Sequence, residues 1–211
     1  MALQSVIFDN TVFNFFAKIN CVNLHRLMPS IISDSILVPS EILSEIEGLG
    51  IAHPQYQSKV FYWTDQIRQN YFFKHCTTYD SVVFDLVKSK IDKGEADAVA
   101  QSQKTGVRLF ITDDKSCLPF INENYNNIRT FSTFFLIALA DIQGILPDYE
   151  KTIYEFHEVI SYASFNSKTK KTHKAKLRYE YSEALRYLGI SLDKKIVSKK
   201  TSLDTIFKKF L

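Results

Sequence analysis

Short apolar runs alternate with stretches in which apolar residues recur every three or four positions, and this pattern predicts an α/β fold. The runs at residues 5–9, 35–38 and 107–111 are rich in aliphatic and aromatic residues, as is typical of buried strands. The stretches between them have the 3.6-residue period of amphipathic helices. Strands that alternate with helices predict a three-layer α/β/α arrangement, with a parallel central sheet between two layers of helices.

Two helices in the middle of the chain have predicted core-facing residues, which are Val60, Phe61 and Ile67 in the first and Val82, Val83, Leu86 and Val87 in the second. A last edge strand is predicted near residues 126–131, and a strongly apolar packing helix follows it. Gly144 and Pro147 end that helix. We therefore predict one globular domain over residues 1–147 and a helical extension over residues 148–211.

Charge divides the chain at the same point. Residues 1–147 hold 12 Lys and Arg against 15 Asp and Glu, whereas residues 148–211 hold 14 against 8. An acidic domain beside a basic extension suits a polyanionic substrate. The lysines of the extension would hold the substrate, and a metal site among the acids would cut it. Residues 165–178 contain no acid, and four lysines there are predicted to grip nucleic-acid phosphates: Lys168, Lys170, Lys171 and Lys174. A solvated linker is the alternative for this segment.

The three cysteines fall into no C-x-x-C spacing, which favours free thiols in a reducing compartment. The N-terminal sequence MALQSVIFDN lacks the basic and long apolar regions of a signal peptide. No apolar stretch reaches the roughly 18 residues that a membrane-spanning helix needs. These observations predict a cytoplasmic protein without a membrane segment.

Acidic residues follow the predicted strands at the points where the strands end. Asp9 closes the first strand, and Asp113 and Asp114 follow the strand at 107–111. The carboxyl ends of parallel strands share one edge of a sheet, and α/β folds bind ligands there. Taken alone, Asp9 also fits the N-cap of the helix that follows it.

Acids carried by helices are expected at the same edge. Glu95 and Asp97 open the helix before residues 107–111, and Glu45 lies one turn after Glu41 in the helix after residues 35–38. For any single glutamate, solvent exposure is the alternative. Clustered carboxylates must raise their pKa values or bind a cation, because they repel one another.

Oxygen ligands without a Cys or His pattern favour Mg²⁺ or Mn²⁺ over Zn²⁺. Such ions polarise phosphate oxygens and activate water, so the pattern predicts metal-assisted hydrolysis of a phosphodiester bond. The sequence contains no P-loop, no G-x-G-x-x-G, no G-x-S-x-G and no H-E-x-x-H. These absences exclude the reaction classes that depend on those motifs.

Three segments, SVIFDNTVF, VPSEILSEI and GEADAVAQSQKTGVRLFITDD, together resemble the PIN-domain nucleases, a family that includes bacterial toxin ribonucleases. The resemblance covers about residues 3–145, and the GEADA…TDD segment is its most specific part. It implies a PIN-like fold and an endoribonuclease that uses Mg²⁺ or Mn²⁺ and prefers RNA to DNA. It also implies an antitoxin or another protein partner, whereas the C-terminal helices either pack on the domain or mediate a homodimer.

The resemblance implies that the catalytic and metal-binding residues are Asp9, Glu45, Asp97 and Asp114. It makes Glu95 an additional acid, and it allows Asp113 to replace or assist Asp114. Asp97 and Asp114 are the expected direct ligands. In the first motif D-N-T stands where D-T-N is commoner, and Thr11 is the residue expected to face the phosphate.

Two other functions fit part of the pattern. A haloacid dehalogenase-like phosphatase would use Asp9 as its nucleophile, but it needs a second Asp where this chain has Thr11. It also needs a lysine just before the acidic pair, and Lys104 lies upstream of the strand. An inactive PIN fold that binds RNA or protein predicts broken acid positions, whereas all four positions are filled.

Overall fold

The structure, a computed structural model, describes residues 3–69, 71–161 and 179–190. These residues group into two compact units. The first unit comprises residues 3–18 and 24–133, and the second comprises residues 19–23, 134–161 and 179–190. The predicted domain boundary at residue 147 stays a prediction.

Five parallel strands form the sheet of the first unit, in the spatial order β3-β2-β1-β4-β5. The strands are β1 (Val6–Phe8), β2 (Ile36–Pro39), β3 (Phe73–Cys76), β4 (Leu109–Ile111) and β5 (Arg129–Phe131). All residues of β1 and β2 are buried, which explains their continuous apolar sequences. The three strands predicted from apolar runs and the predicted edge strand are confirmed.

Seven helices of the first unit connect and flank the strands: α1 (Asn10–Lys18), α2 (Leu24–Ile31), α3 (Ser40–Ala52), α4 (Gln57–Arg68), α5 (Ser81–Val87), α6 (Lys93–Thr105) and α7 (Leu118–Asn124). The chain runs from β1 through β2 to β3 at one edge, then returns to β4 and β5 at the other. The right-handed rule for crossover connections predicts α1 to α4 on one face of the sheet and α5 to α7 on the opposite face. The predicted parallel α/β fold is confirmed.

Phe13 fixes α1 against the sheet. Its ring is fully buried and lies 6.1 Å from the ring centroid of Phe8, 5.7 Å from that of Trp63 and 6.1 Å from that of Phe73. Full burial of an aromatic side chain contributes roughly 1.5–3 kcal/mol. This packing holds the junction between β1 and α1, where Asp9 lies, in a fixed position.

Three residues predicted to face the core are exposed, and those predictions are wrong. Phe61 on α4 is 62% exposed, and Val82 and Leu86 on α5 are 67% and 64% exposed. Of the residues in α5, only Val87 is buried. The apolar period predicted a helix correctly. However, α5 is short and packs mainly on α6, so its neighbours cover only a small part of its surface.

The second unit contains α8 (Thr133–Ile142), α9 (Tyr149–Ser161) and a helix at residues 179–187. The hydroxyl of Tyr181 donates to Oδ2 of Asp141 at 2.8 Å, and the ring of Tyr149 lies edge-on to that of Tyr181 at 5.8 Å. Gly189 ends the last helix with a φ of 68°, a left-handed conformation that favours glycine. The predicted basic segment at 165–178 and the tail lie outside the described residues.

Across the described ranges, no helix combines the length and the hydropathy that crossing a membrane requires. Cys21, Cys76 and Cys117 are free thiols, as the sequence predicts.

Candidate metal centre

The ends of β1 and β4 form the centre of the candidate site. These strands pair with Ile7 opposite Phe110 and Phe8 opposite Ile111, so that Asp9 and Thr112 are neighbours at the sheet edge. The strand order reverses between β1 and β4. In open α/β sheets the crevice at such a point is where ligands bind.

Asp9 is held by several hydrogen bonds and is only 2% exposed. The N–H of Asn10 donates to its Oδ1 at 2.7 Å, and the hydroxyls of Thr11 and Thr112 donate to its Oδ2 at 2.6 and 2.8 Å. The N–H of Thr11 lies 3.4 Å from Oδ2, so Asp9 also caps α1 in part. Burial raises the pKa of Asp9, and the hydrogen bonds oppose that rise because they stabilise the carboxylate.

Glu45 reaches the same place from α3. The side-chain amide of Asn10 donates to Oε2 of Glu45, and Oε1 lies against the start of α6. A Cβ added to Gly94 would lie 2.8 Å from Oε1, so the close approach of Glu45 requires a residue without a side chain there. Glu45 as a whole is exposed, but partial burial of its carboxyl raises its pKa, and repulsion by Asp9 raises it further.

Glu95 lies in the first turn of α6 and is 6% exposed. Burial raises the pKa of Glu95 to about 7, and repulsion by Asp9, Asp114 and Asp92 contributes to this rise. Without a cation, this carboxyl is therefore about half protonated at neutral pH. Glu95 thus belongs to the group of acids around Asp9.

Cys117 responds to the same acids. The thiol is fully buried, and burial together with repulsion by Glu95, Asp114 and Asp9 raises its pKa to about 12. Three carboxyl groups therefore act on one buried sulfur atom. The thiol stays protonated at neutral pH and is a poor nucleophile.

Asp97 lies on another side of α6. Its Oδ2 accepts the N–H of Glu41 at 3.1 Å, and its Oδ1 accepts the amide of Gln101 at 3.2 Å. Burial raises the pKa of Asp97, and Glu41 is the acid that contributes repulsion. Residues two apart on a helix point in different directions, so Asp97 and Glu95 do not share a face. Asp97 satisfies an N-terminal N–H of α3, and its role as a ligand stays a prediction.

Hydroxyl groups order the loop after β4. The N–H of Asp114 donates to Oγ1 of Thr112 at 3.0 Å, and the N–H of Asp113 donates to Oγ1 of Thr11 at 3.0 Å. Oδ2 of Asp113 accepts the N–H of Thr133 at 3.1 Å. The Thr11 hydroxyl therefore joins β1 to this loop, and its contact with a phosphate stays a prediction.

The donor set fits Mg²⁺ or Mn²⁺, because Asp9, Glu45, Glu95 and Asp114 supply only oxygen atoms. In the described parts of the chain, no lysine or arginine is among the principal groups that shift the pKa values of Asp9, Glu45 and Glu95. Among the residues that the structure describes, no group of three or more Asp, Glu, His or Cys side chains is arranged so that it could hold a metal ion by itself. Mg²⁺ does not need such a cage, since it commonly uses one or two carboxylates and keeps several waters.

Sequence reasoning did not identify three parts of this site, namely Asn10, Gly94 and Thr112. Asn10 follows the strand-end Asp directly, and Thr112 precedes the acidic pair, so both lie in recognisable motifs. Their partners are distant, since Asn10 and Glu45 are 35 residues apart and Thr112 and Asp9 are 103 apart. Such pairs are visible only once the fold is known.

The lysines predicted to bind phosphates lie outside the described residues: Lys168, Lys170, Lys171 and Lys174.

A family model described as PIN domain matches residues 5–175. No curated protein and no solved structure matches the chain significantly.

Proposed function

The chain belongs to the PIN-domain family, which in general consists of metal-dependent nucleases, and we propose that it is an endoribonuclease of single-stranded RNA. The observation that carries the proposal is the acid group where β1 and β4 end, in which Asp9 and Glu95 are buried. Burial and repulsion by Asp9 raise the pKa values of both Glu45 and Glu95, which a divalent cation would relieve. The family match gives no support to the phosphatase alternative.

Asp9, Glu45, Glu95 and Asp114 are the residues that would hold Mg²⁺ or Mn²⁺. The chemistry that such an ion supplies when bound is Lewis acidity toward the scissile phosphate and the attacking water. Thr11 and Thr112 hold Asp9 in one orientation, and Asn10 does the same for Glu45. Carboxylates fixed in this way reorganise little when a substrate binds, which favours catalysis. The Glu95 carboxyl can hold a proton at neutral pH and release it when a cation binds.

The proposal assigns phosphate binding to the basic extension. Residues 148–211 hold 14 Lys and Arg against 8 Asp and Glu, and non-specific contacts with phosphates depend on such charge. A single strand also leaves its bases free for contact, which is how proteins usually recognise RNA sequence. An antitoxin-type partner, a homodimer through residues 148–211 and a cytoplasmic location complete the proposal.

The test is cleavage of single-stranded RNA by the full-length protein in Mn²⁺. Asp9→Asn keeps the shape of the side chain but removes its charge, and we expect the rate to fall at least about 100-fold. Asp85→Asn is the matched control, because Asp85 is exposed on α5 and pairs only with Lys88 at 2.5 Å in the described structure. Cleavage that survives both Asp9→Asn and EDTA would refute the metal assignment, and cleavage of DNA alone would refute the choice of RNA.

A further inference from the structure

Asp97 on α6 has a buried carboxylate, and both of its oxygens accept hydrogen bonds from groups outside the acid group. Its Oδ2 accepts the N–H of Glu41 at 3.1 Å, and its Oδ1 accepts the side-chain amide of Gln101 at 3.2 Å. The same Gln101 amide donates to the carbonyl oxygen of Cys76 at 2.7 Å. Asp97 therefore connects α6 to the ends of β2 and β3, whereas Asp9 lies at the end of β1.

The N-terminus of α3 has no capping side chain of its own. Pro39 occupies the N-cap position, and its side chain has no atom that could accept a hydrogen bond. The first N–H groups of a helix have no partner within the helix, and a carboxylate beside them is favourable. Because the Asp97 carboxylate accepts the N–H of Glu41, it does for α3 what an N-cap side chain does for other helices.

The same contact between α3 and α6 also places Glu45. Glu41 and Glu45 are four residues apart, so they lie on one side of α3. Gly94 and Asp97 are three residues apart and likewise share a side of α6. At one end of the contact Asp97 holds the N–H of Glu41, and at the other Oε1 of Glu45 lies against the start of α6. A displaced α3 would therefore carry the Glu45 carboxylate away from the start of α6.

The surroundings of Asp97 differ from those of Glu95, its neighbour two residues before it. Burial raises the pKa values of both carboxyl groups, but the repulsion that adds to it comes from different acids. The acid that repels Asp97 is Glu41, whereas Glu95 is repelled chiefly by Asp9. Asp97 thus lies beside the acid group and contacts the helix that carries Glu45.

We propose that Asp97 is a positioning residue, which caps α3 and thereby keeps Glu45 where a metal ion at the acid group can bind it. This inference rests on the proposed function, because Glu45 is one of the residues that would hold the ion. Groups that orient metal ligands usually contribute about 10- to 100-fold to metal affinity or activity. The loss of the cap should therefore weaken metal binding, although Asp97 itself does not touch the ion.

The test is the Mn²⁺ affinity of the full-length protein without RNA, measured from the electron paramagnetic resonance signal of free Mn²⁺. Asp97→Ala removes the acceptor of the Glu41 N–H, and we expect about tenfold weaker binding. Asp97→Asn keeps an oxygen that can accept this N–H, and asparagine caps helices as well as aspartate, so its affinity should stay within about threefold of wild type. A direct ligand would lose its charge in both variants. Equal losses in Asp97→Asn and Asp97→Ala would therefore overturn the inference.

A second background tests whether Asp97 acts through Glu45. In a protein that already carries Glu45→Gln, Asp97→Ala should weaken Mn²⁺ binding by less than about twofold further. A tenfold loss in that background would overturn the inference, because Asp97 would then act on the ion without Glu45. If Asp97→Ala does not fold in urea titrations, Asp97→Asn decides alone, since a loss as large as that of Asp9→Asn would identify a direct ligand.

Asp80→Ala is the matched control for the loss of a helix cap. The Asp80 carboxylate caps α5, because it accepts the N–H groups of Val82 and Val83 at 3.1 Å. Its replacement should lower the free energy of unfolding and leave the Mn²⁺ affinity unchanged. If Asp97→Ala likewise loses stability and keeps its Mn²⁺ affinity, Asp97 has no positioning role.

RNA cleavage by the same proteins separates this inference from the proposed function. Mn²⁺ binding that depends on Asp97 through Glu45, without any cleavage of RNA, would support the positioning role and overturn the nuclease proposal. Mn²⁺-dependent cleavage that is indifferent to Asp97→Ala would overturn the positioning role and leave the nuclease proposal intact. A wild-type protein that binds no Mn²⁺ would overturn both.

Discussion

Replacing Gly94 by alanine should reduce activity without reducing stability. A Cβ at this position would lie 2.8 Å from Oε1 of Glu45, and ordinary contact begins near 3.4 Å. The Glu45 carboxylate must therefore withdraw by about 0.6 Å. Because it is the free end of a flexible side chain, it can move without disturbing the backbone.

The two expected effects have opposite signs. Glycine in the middle of a helix costs roughly 0.5–1 kcal/mol relative to alanine. Gly94 is the second residue of α6, where this difference is smaller, so Gly94→Ala should keep or slightly raise the free energy of unfolding. Misplacement of a catalytic group by about 1 Å can cost about 100-fold in rate, so a shift of about 0.6 Å should cost about 10- to 100-fold. Urea denaturation measures the first effect, and initial rates of Mn²⁺-dependent RNA cleavage measure the second.

Two further proteins make the test specific. Gln103→Ala, at an exposed position of the same helix, should raise helix propensity without changing the rate. In a protein that already carries Glu45→Gln, Gly94→Ala should lower the rate little further, because both changes act on the same side chain. A wild-type rate in Gly94→Ala would refute the reasoning, as would a rate loss that only follows a loss of stability.

Three other predictions concern the same structure. In EDTA, the free energy of unfolding relative to Glu95→Gln should fall from about pH 4.5 to about 7, because folded Glu95 keeps a proton that the unfolded chain releases. Urea titrations measure this slope, Mn²⁺ should flatten it, and a rise with pH would contradict the repulsion. Thr11→Val should cost about 1–3 kcal/mol in thermal unfolding, since it removes the donor to Asp9 and the acceptor of Asp113, and Thr11→Ser should restore most of it. Wild-type stability of Thr11→Val would show that the hydroxyl does not hold the loop. Replacing three lysines together should weaken RNA binding for all sequences and reduce its salt dependence, and unchanged affinity would leave the segment as a linker: Lys170, Lys171 and Lys174.

The strands and the sheet edge could be predicted because each depends on short-range patterns. A fully buried strand must be apolar at successive residues, as β1 and β2 are, and parallel strands place their carboxyl ends together. Asp9 and Asp114 therefore meet at one edge whatever the details of packing. That part of the site follows from the order of the elements.

The direction of helix-borne acids could not be fixed in the same way. Glu95 and Asp97 are two residues apart, so rotation about α6 separates them by roughly 200°. Which of the two acids faces Asp9 depends on how α6 packs against α3, and the sequence alone does not give this packing. In the structure the Asp97 carboxylate accepts the N–H of Glu41, whereas Glu95 is repelled by Asp9.

The exposed residues on α4 and α5 have a similar explanation. Apolar periodicity shows which side of a helix is apolar, but a neighbouring element must cover that side before it becomes core. Val82 and Leu86 have the spacing of core residues and remain exposed. The sequence alone does not show how much of a short helix its neighbours will cover.

The buried thiol of Cys117 also determines how the protein can be labelled. Maleimides react with thiolates, and a fully buried thiol with a pKa of about 12 supplies almost none at neutral pH. Burial also raises the pKa values of Cys21 and Cys76, but both residues are partly exposed, so a dye added to the native protein attaches there in preference to Cys117. Ordinary cysteine chemistry can therefore follow RNA binding by energy transfer, without removing any native cysteine.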